Sequence, residues 1–373
     1  MGRTLRIYLL KQFINSIFLA VISLAMLFLV FDILAHSDDI LAGGMSPWEA
    51  VPLYALLRLP QLVSLVMPIA GMLAIMAIYT KLHGQQEITA ITSSGVRLFR
   101  VVLVFIVGAL FVAILHFIFL NSLVLKTSEK LRMWQENDYK PTSQQVAVTR
   151  YPTWFQIQDK LIYVQEASAN NTVLNDLKII ERDNSGIMKK YLIAGQATHV
   201  KGTKWQLTDV EIRQLDTGET EKTDDRMMDL KSKPQALVVF NKSTGEMTLG
   251  EMINLIKASH LTNNRGYYYE TWFLRRFSQP LSTVIMMLIA TPLLFLRPRQ
   301  QNKTGIVFTV VIIGFLYFIG ERILLAMSEN GDIQTFLATY APPVTFTGLL
   351  LLYILWKEPP YHGFIKNRPL IEN

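Results

Sequence analysis

The chain has 373 residues, no cysteine, 51% hydrophobic residues and a mean hydropathy of +0.28. The lack of cysteine excludes disulfides, thiolate metal sites and cysteine nucleophiles, and so apolar a chain of this length points to membrane spans rather than a soluble fold. The net charge of +7 is uneven: residues 121–270 hold 20 basic and 19 acidic side chains, the rest 16 and 10, a bias that fits the inside loops of a membrane protein better than a nucleic-acid face.

A helix needs about 20 apolar residues to cross a bilayer, and six stretches qualify. The first, 13–35, follows Arg3, Arg6 and Lys11. Its apolar run exceeds the roughly 7–15 residues of a signal core, so it is expected to remain as an uncleaved helix. The second, 51–79, is interrupted by Arg58, Pro60, Gln61 and Pro68.

The polar loop KLHGQQEITAITSSGVR, 81–97, follows. Glu87, Ile88 and Ile91 are spaced for one side of a short helix over 85–94. Gly95 stands at a natural C-terminal cap. Geometry alone leaves two readings open, a solvated connector between spans or a contact helix for a partner. The third span is 98–120. It contains His116, which is expected to be packed or to face a pore.

Residues 121–270 change character. Alternation in Trp154 to Val164 and in Gln196 to Asp216 predicts strands, the latter turning at Lys201-Gly202-Thr203-Lys204. Further short strands are expected at 177–182, 190–193 and 236–240. They predict an antiparallel sandwich or open barrel with one core. A short helix over 249–258 leads back to the last three spans, 273–295, 306–327 and 336–356. Basic residues cluster at Lys81, Arg97 and Arg100, at Arg297, Arg299 and Lys303, and at Lys357, Lys366 and Arg368. Acidic Asp38, Asp39, Glu49, Glu329 and Asp332 mark the opposite loops. Both termini are therefore expected inside, with 121–270 outside.

Chemistry-bearing motifs are missing. The sequence has no G-x-x-x-x-G-K-[ST], no H-E-x-x-H and no G-x-S-x-G, and its six histidines lack metal-ligand spacing. The expectation is a non-enzymatic membrane component with no cofactor of its own, driven by a partner if it does work.

Gln85-Gln86-Glu87-Ile88 through Ser94-Gly95, placed after a second span, resembles the coupling helix of the lipopolysaccharide-export permeases, the LptF/LptG family. The opening Leu5-Arg6-Ile7-Tyr8-Leu9-Leu10-Lys11 is similar to that family's basic amino-terminal stretch. Pro60, Pro68, the segment RRFSQPLSTVIMMLIATPLLF and the three-plus-three arrangement of spans agree over nearly the whole chain. The loop LRPRQQNKTG and the pair Pro342-Pro343 resemble the G-type branch more closely.

The resemblance implies an α-helical integral membrane protein with six transmembrane helices and an inserted periplasmic antiparallel β domain, β-jellyroll-like. The division expected is 1–120 (spans one to three, coupling segment at about 82–96), 121–262 (stalk and β domain) and 263–373 (spans four to six and tail). It implies an inner-membrane permease subunit of an ATP-driven transporter that passes lipopolysaccharide to a periplasmic bridge. Its implied partners are an F-type permease, a dimeric cytoplasmic ATPase that binds ATP and magnesium, and β-jellyroll bridge proteins including one with a single-span anchor. Gln85, Gln86, Glu87, Ile88 and Ile91 would then contact the ATPase.

For a phosphorylated, multiply acylated lipid, cations near the outer surface are the candidates for phosphate contact. These are Lys126, Lys130 and Arg132 after the third span, and Arg58 and Arg322 within spans. Asp32 and Glu321 lie at similar depth, so ion pairing among Arg58, Asp32, Glu321 and Arg322 is the competing reading. Leu27, Phe31, Phe315 and Phe318 are candidates for acyl-chain contact or for ordinary lipid-facing positions. A membrane-anchored periplasmic sensor, or a permease for another envelope lipid, also fits the residues.

Overall fold

The computed structural model describes residues 2–141, 148–157, 160–168, 172–182, 188–215, 219–230, 243–259, 266–295 and 303–357. The chain opens with two long helices, α1 (Arg3–Ala42) and α2 (Pro47–Gly84), and the short α3 (Glu87–Ser93). Next comes α4 (Leu98–Phe119), which passes through a π turn, Leu120–Val124, into α5 (Leu125–Glu136). Strands β1 (Val148–Ile157), β2 (Lys160–Ser168), β3 (Val173–Arg182), β4 (Met188–Lys201), β5 (Lys204–Gln214) and β6 (Thr220–Asp229) follow. The chain continues through α6 (Leu249–Ser259), α7 (Gly266–Ala290), a 3-10 turn (Thr291–Phe295), α8 (Lys303–Glu329) and α9 (Thr335–Lys357).

Two compact units result. One comprises 1–35, 58–124 and 274–373, the other 36–57 and 125–273. In the first, Leu9, Phe13, Ile75, Ile78, Phe105 and Met287 belong to one buried core. Five helices among the described residues are long and apolar enough to span a membrane. The helix expected as the fourth span, α7, is not among the five, because it carries Arg275, Arg276 and Gln279. Its C-terminal stretch, from Val284 to Ala290, is almost wholly buried in the core. A helix enclosed by its neighbours needs no uniformly apolar surface, provided its polar groups find partners. For the same reason α2 continues through Pro60 and Pro68 without a break.

In the second unit six strands pair antiparallel in sequence order. The expected turn at 201–204 closes β4 on β5, with Gly202 in a left-handed conformation. The run 154–164, expected as one strand, is instead the hairpin of β1 and β2. The expected strand at 236–240 lies outside the described residues. Strand β6, TEKTDDRMMD, was not expected, since it shows no apolar alternation. It is mostly exposed and is held by its backbone ladder to β5.

The buried face of the sheet gathers Ile162, Leu177, Ile179, Leu192, Trp205, Leu207, Val210 and Ile212. Burial switches phase along one line across three strands. It falls between Leu174 and Leu177 in β3, between Ala194 and Ala197 in β4, and between Leu207 and Val210 in β5. Asp176 and Asp209 take left-handed backbone on this line, with φ 51 and 55. One residue of non-extended backbone reverses which face the following side chains occupy. Adjacent strands must reverse together to keep their register. Gly195 lies between these two aspartates, and a Cβ there would come 3.3 Å from the Asp209 Cβ. Gly195→Val is expected to destabilise the insert by about 1–3 kcal/mol, measured as a lower unfolding midpoint of the full chain.

Candidate functional site

The helix α3 has a defined start and stop. Gln86 takes a left-handed conformation, φ 57 and ψ 17. Its N–H donates to the His83 carbonyl, and its own carbonyl accepts the N–H of Ala90. One residue thus ends α2 and begins α3, turning the chain sharply between them. At the other end Gly95 has φ 80. There the Val96 N–H bonds to the Ile91 carbonyl and the Gly95 N–H to the Thr92 carbonyl. These two bonds form a Schellman cap, which favours glycine at this position because a side chain resists left-handed backbone. Thr92 Oγ1 and Ser94 Oγ donate to the carbonyls of Ile88 and Ile91, at 2.9 and 2.7 Å.

Gly95→Ala is therefore expected to weaken the cap by about 1 kcal/mol. Backbone amides of 87–96 in the full chain should then exchange with deuterium about fivefold faster. Gly84→Ala, at a position with open space and helical backbone, is the control and is expected to leave the rate unchanged.

The faces of α3 divide cleanly. Ile88 and Ile91 are buried in the core of their unit, only 6% and 7% exposed. Gln85 and Gln86 are exposed, and Glu87 stands at the edge between the two faces. The Glu87 carboxylate accepts a hydrogen bond from the Tyr8 hydroxyl, with Oη 2.9 and 3.1 Å from its two oxygens. Tyr8 belongs to the stretch noted for its resemblance, yet nothing local in the sequence linked it to Glu87, 79 positions away.

The charges within the spans are largely engaged. Arg58 Nε and Nη2 donate to the two carboxylate oxygens of Asp32 at 2.8 and 2.9 Å, and Nη1 donates to Gln61. This planar two-bond pairing is the strongest arrangement an arginine and a carboxylate can form. Glu321 does not join it. The Glu321 carboxylate accepts from Ser282 Oγ at 2.6 Å, and Ser282 in turn accepts from the Tyr317 hydroxyl at 2.9 Å. Arg275 and Arg322 are its cationic neighbours. Arg322 also lies over the Phe318 ring, 5.0 Å from its centre. Ser282, Tyr317 and Arg275 are polar partners that hydropathy reading passed over. His116 is fully buried, between Ser64 Oγ at 3.0 Å and Thr283 Oγ1 at 3.2 Å, and Gln279 donates to the same Ser64. It is a packed histidine that joins α2, α4 and α7.

In the second unit Lys126 and Lys130 are exposed on α5. They stand one turn apart on a helix that continues directly from α4. Neither takes part in a salt bridge among the described residues. Arg132 is engaged: it pairs with Glu246 at 2.5 Å and with Glu136 at 2.6 Å. Among the apolar candidates, Leu27, Phe31 and Phe315 are 53%, 63% and 64% exposed, whereas Phe318 packs against the core.

A bundle of long apolar helices, an inserted antiparallel sheet and a short capped helix between two spans define a multi-pass membrane protein. Residues 7–357 match the model of the family described as Lipopolysaccharide export system permease LptF/LptG. The chain belongs to that family, and is thus a transport subunit of an ABC transporter rather than an enzyme. It is similar to the Lipopolysaccharide export system permease protein LptG of Haemophilus influenzae, 21% identical over 369 residues, which cover 95% of this chain and 98% of that protein.

Proposed function

We propose that this chain is the G-type permease of an inner-membrane lipopolysaccharide exporter, paired with an F-type permease and driven by a dimeric cytoplasmic ATPase. Six helices cross the membrane, α7 being the fourth, with both termini cytoplasmic. Residues of about 121–270 are periplasmic and form the β-jellyroll-like platform that meets the bridge proteins, one of them anchored by a single span. The ATPase closes on ATP, presses on α3, and the movement narrows the cavity that holds the lipid.

The observation that carries this reading is the division of α3. Its isoleucines are sunk into the permease core, and Gln85, Gln86 and Glu87 remain on the accessible side. Ile88 and Ile91 serve as anchors that transmit force, while the polar residues meet the ATPase groove. A rigid anchor is what a push requires, since a loosely held connector would absorb the displacement.

Lys126 and Lys130 are the phosphate contacts we favour, because among the described residues their ammonium groups have no carboxylate partner to displace. Arg58 and Arg132 hold structure through Asp32 and Glu246. Arg322 stays a candidate through its place over the Phe318 ring. Leu27, Phe31 and Phe315 offer the apolar surface for acyl chains.

A photocrosslinking residue placed at Lys126 or at Phe315, in cells, tests the reading. Lipopolysaccharide adducts are expected at both. Adducts with a different envelope lipid would reassign the cargo, and adducts with protein alone would remove these positions from the lipid path. Separately, Lys126→Glu with Lys130→Glu is expected to reduce the lipopolysaccharide adduct at Phe315 by about tenfold, since two charge-assisted phosphate contacts become repulsive.

A further inference from the structure

We infer that Tyr8 is the positioning residue that aims Glu87 at the ATPase and ties the first helix to α3; the inference rests on the reading of α3 given above. The Tyr8 hydroxyl spans both Glu87 oxygens, at 2.9 and 3.1 Å. A single phenolic proton shared between two oxygens fixes the plane of the carboxylate as well as its distance.

The chemistry of the donor matters. An ionised carboxylate has about four lone-pair sites. A lysine or arginine in place of Tyr8 would bind it strongly and cancel its charge. A phenol is neutral, so it orients the group, occupies one side, and leaves the full negative charge for a cation of the partner. Glu87 is otherwise a long side chain with several rotatable bonds, and ordering it on binding costs free energy. A carboxylate already held in place avoids much of that cost.

The backbone beneath Tyr8 is firmly held. Leu9 is fully buried, as is Phe13 one turn further, and both belong to the same core as Ile88, Ile91, Val101 and Phe105. The rings of Phe13 and Phe105 lie 6.0 Å apart. Tyr8 is 41% exposed and contributes its ring to the surface, not to that core. The start of α1, the end of α2, α3 and the start of α4 therefore form one packed body. Among the described residues, the Tyr8 hydroxyl is the group of α1 that hydrogen-bonds the Glu87 carboxylate. A displacement imposed on Glu87 is carried to α1 by that bond as well as through the isoleucines.

The test is a double-mutant cycle in the full chain, solubilised and titrated with its co-expressed and purified ATPase. The variants are Tyr8→Phe, Glu87→Gln and the two together. Tyr8→Phe keeps the ring and removes only the donor, so the thermal midpoint is expected to stay unchanged. ATPase affinity is expected to fall about three- to tenfold for Tyr8→Phe, the range of one exposed charge-assisted hydrogen bond. The double variant is expected to match Glu87→Gln alone, because Tyr8 acts through Glu87. Wild-type affinity in Tyr8→Phe overturns the inference. So does a double variant in which the two losses multiply, which would make Tyr8 an independent contact. Unchanged affinity in Glu87→Gln would instead overturn the contact role of α3, and with it the role given to Tyr8.

Discussion

Reversing the charge at Glu87 is expected to detach the ATPase while leaving the permease folded. If α3 docks as proposed, Glu87→Lys takes the acceptor away from the partner's donors and sets a like charge against them. Truncating one member of a well-packed charged contact costs about 2–5 kcal/mol, so association should weaken by thirtyfold or more. Folding should be spared for a structural reason. Glu87 is partly exposed and contributes one hydrogen bond, with Tyr8, whereas α3 is held by Ile88, Ile91 and its two left-handed ends. Co-purification of the ATPase from solubilised membranes, with the thermal midpoint of the permease measured alongside, checks both halves. A variant that retains the ATPase in full would show that α3 is only a connector. A variant that loses the ATPase but also unfolds would mean that Glu87 belongs to the core, contrary to its exposure.

Gly43→Ala is expected to be among the most damaging single-methyl changes in the chain. A Cβ at Gly43 would collide with the carbonyl oxygen of Tyr139 and stand 2.6 Å from its carbonyl carbon. Backbone atoms cannot turn aside as the end of a flexible side chain can, so the residues around Tyr139 must move. Asp138 and Tyr139 both hold left-handed backbone, φ 52 and 55, where α5 ends. The Tyr139 ring packs edge-on against Trp134 at 5.1 Å and lies 6.3 Å from Tyr54. Shifting the Tyr139 backbone disturbs all of these contacts, and we expect a loss of about 3 kcal/mol or more. Gly44→Ala supplies the contrast. Gly44 has φ 80 but open space around it, so that change should cost only the backbone strain of about 1–2 kcal/mol. Thermal unfolding and limited proteolysis of the two variants distinguish collision from strain. Equal losses would mean that the close approach to Tyr139 is not maintained in the membrane.

Much of the architecture was legible in the residues. Hydropathy over about 20 residues located the apolar helices, because a chain in a bilayer must satisfy its backbone within each segment. The short helix before Gly95 and the turn at Gly202 were visible because cap and turn chemistry acts within a few residues. The sequence pattern also located α6, whose first turn is closed by Thr248 and Glu251, each side chain accepting from the other's backbone N–H at 3.2 and 2.7 Å. Strand β6 was missed because its side chains are mostly exposed, and its identity as a strand comes from hydrogen bonds to β5. The apolar alternation of β5 was visible, but not the reversal at Asp209, which depends on matching reversals in two neighbouring strands.

The sequence by itself determined that the chain is a membrane protein with a polar β insert, and that a short helix with an acidic first turn lies between its second and third spans. Only the tertiary structure decided which of the candidate charges are committed. It joined Asp32 to Arg58, Arg132 to Glu246 and Glu321 to Ser282, and it left Lys126 and Lys130 exposed and, among the described residues, without a salt bridge. It also turned Ile88 and Ile91 inward and brought Tyr8 to Glu87. The reason is one of range. Hydropathy, caps and turns are settled among neighbours along the chain, whereas the partner of a side chain is chosen by which helix packs beside it, and that choice joins residues tens to hundreds of positions apart.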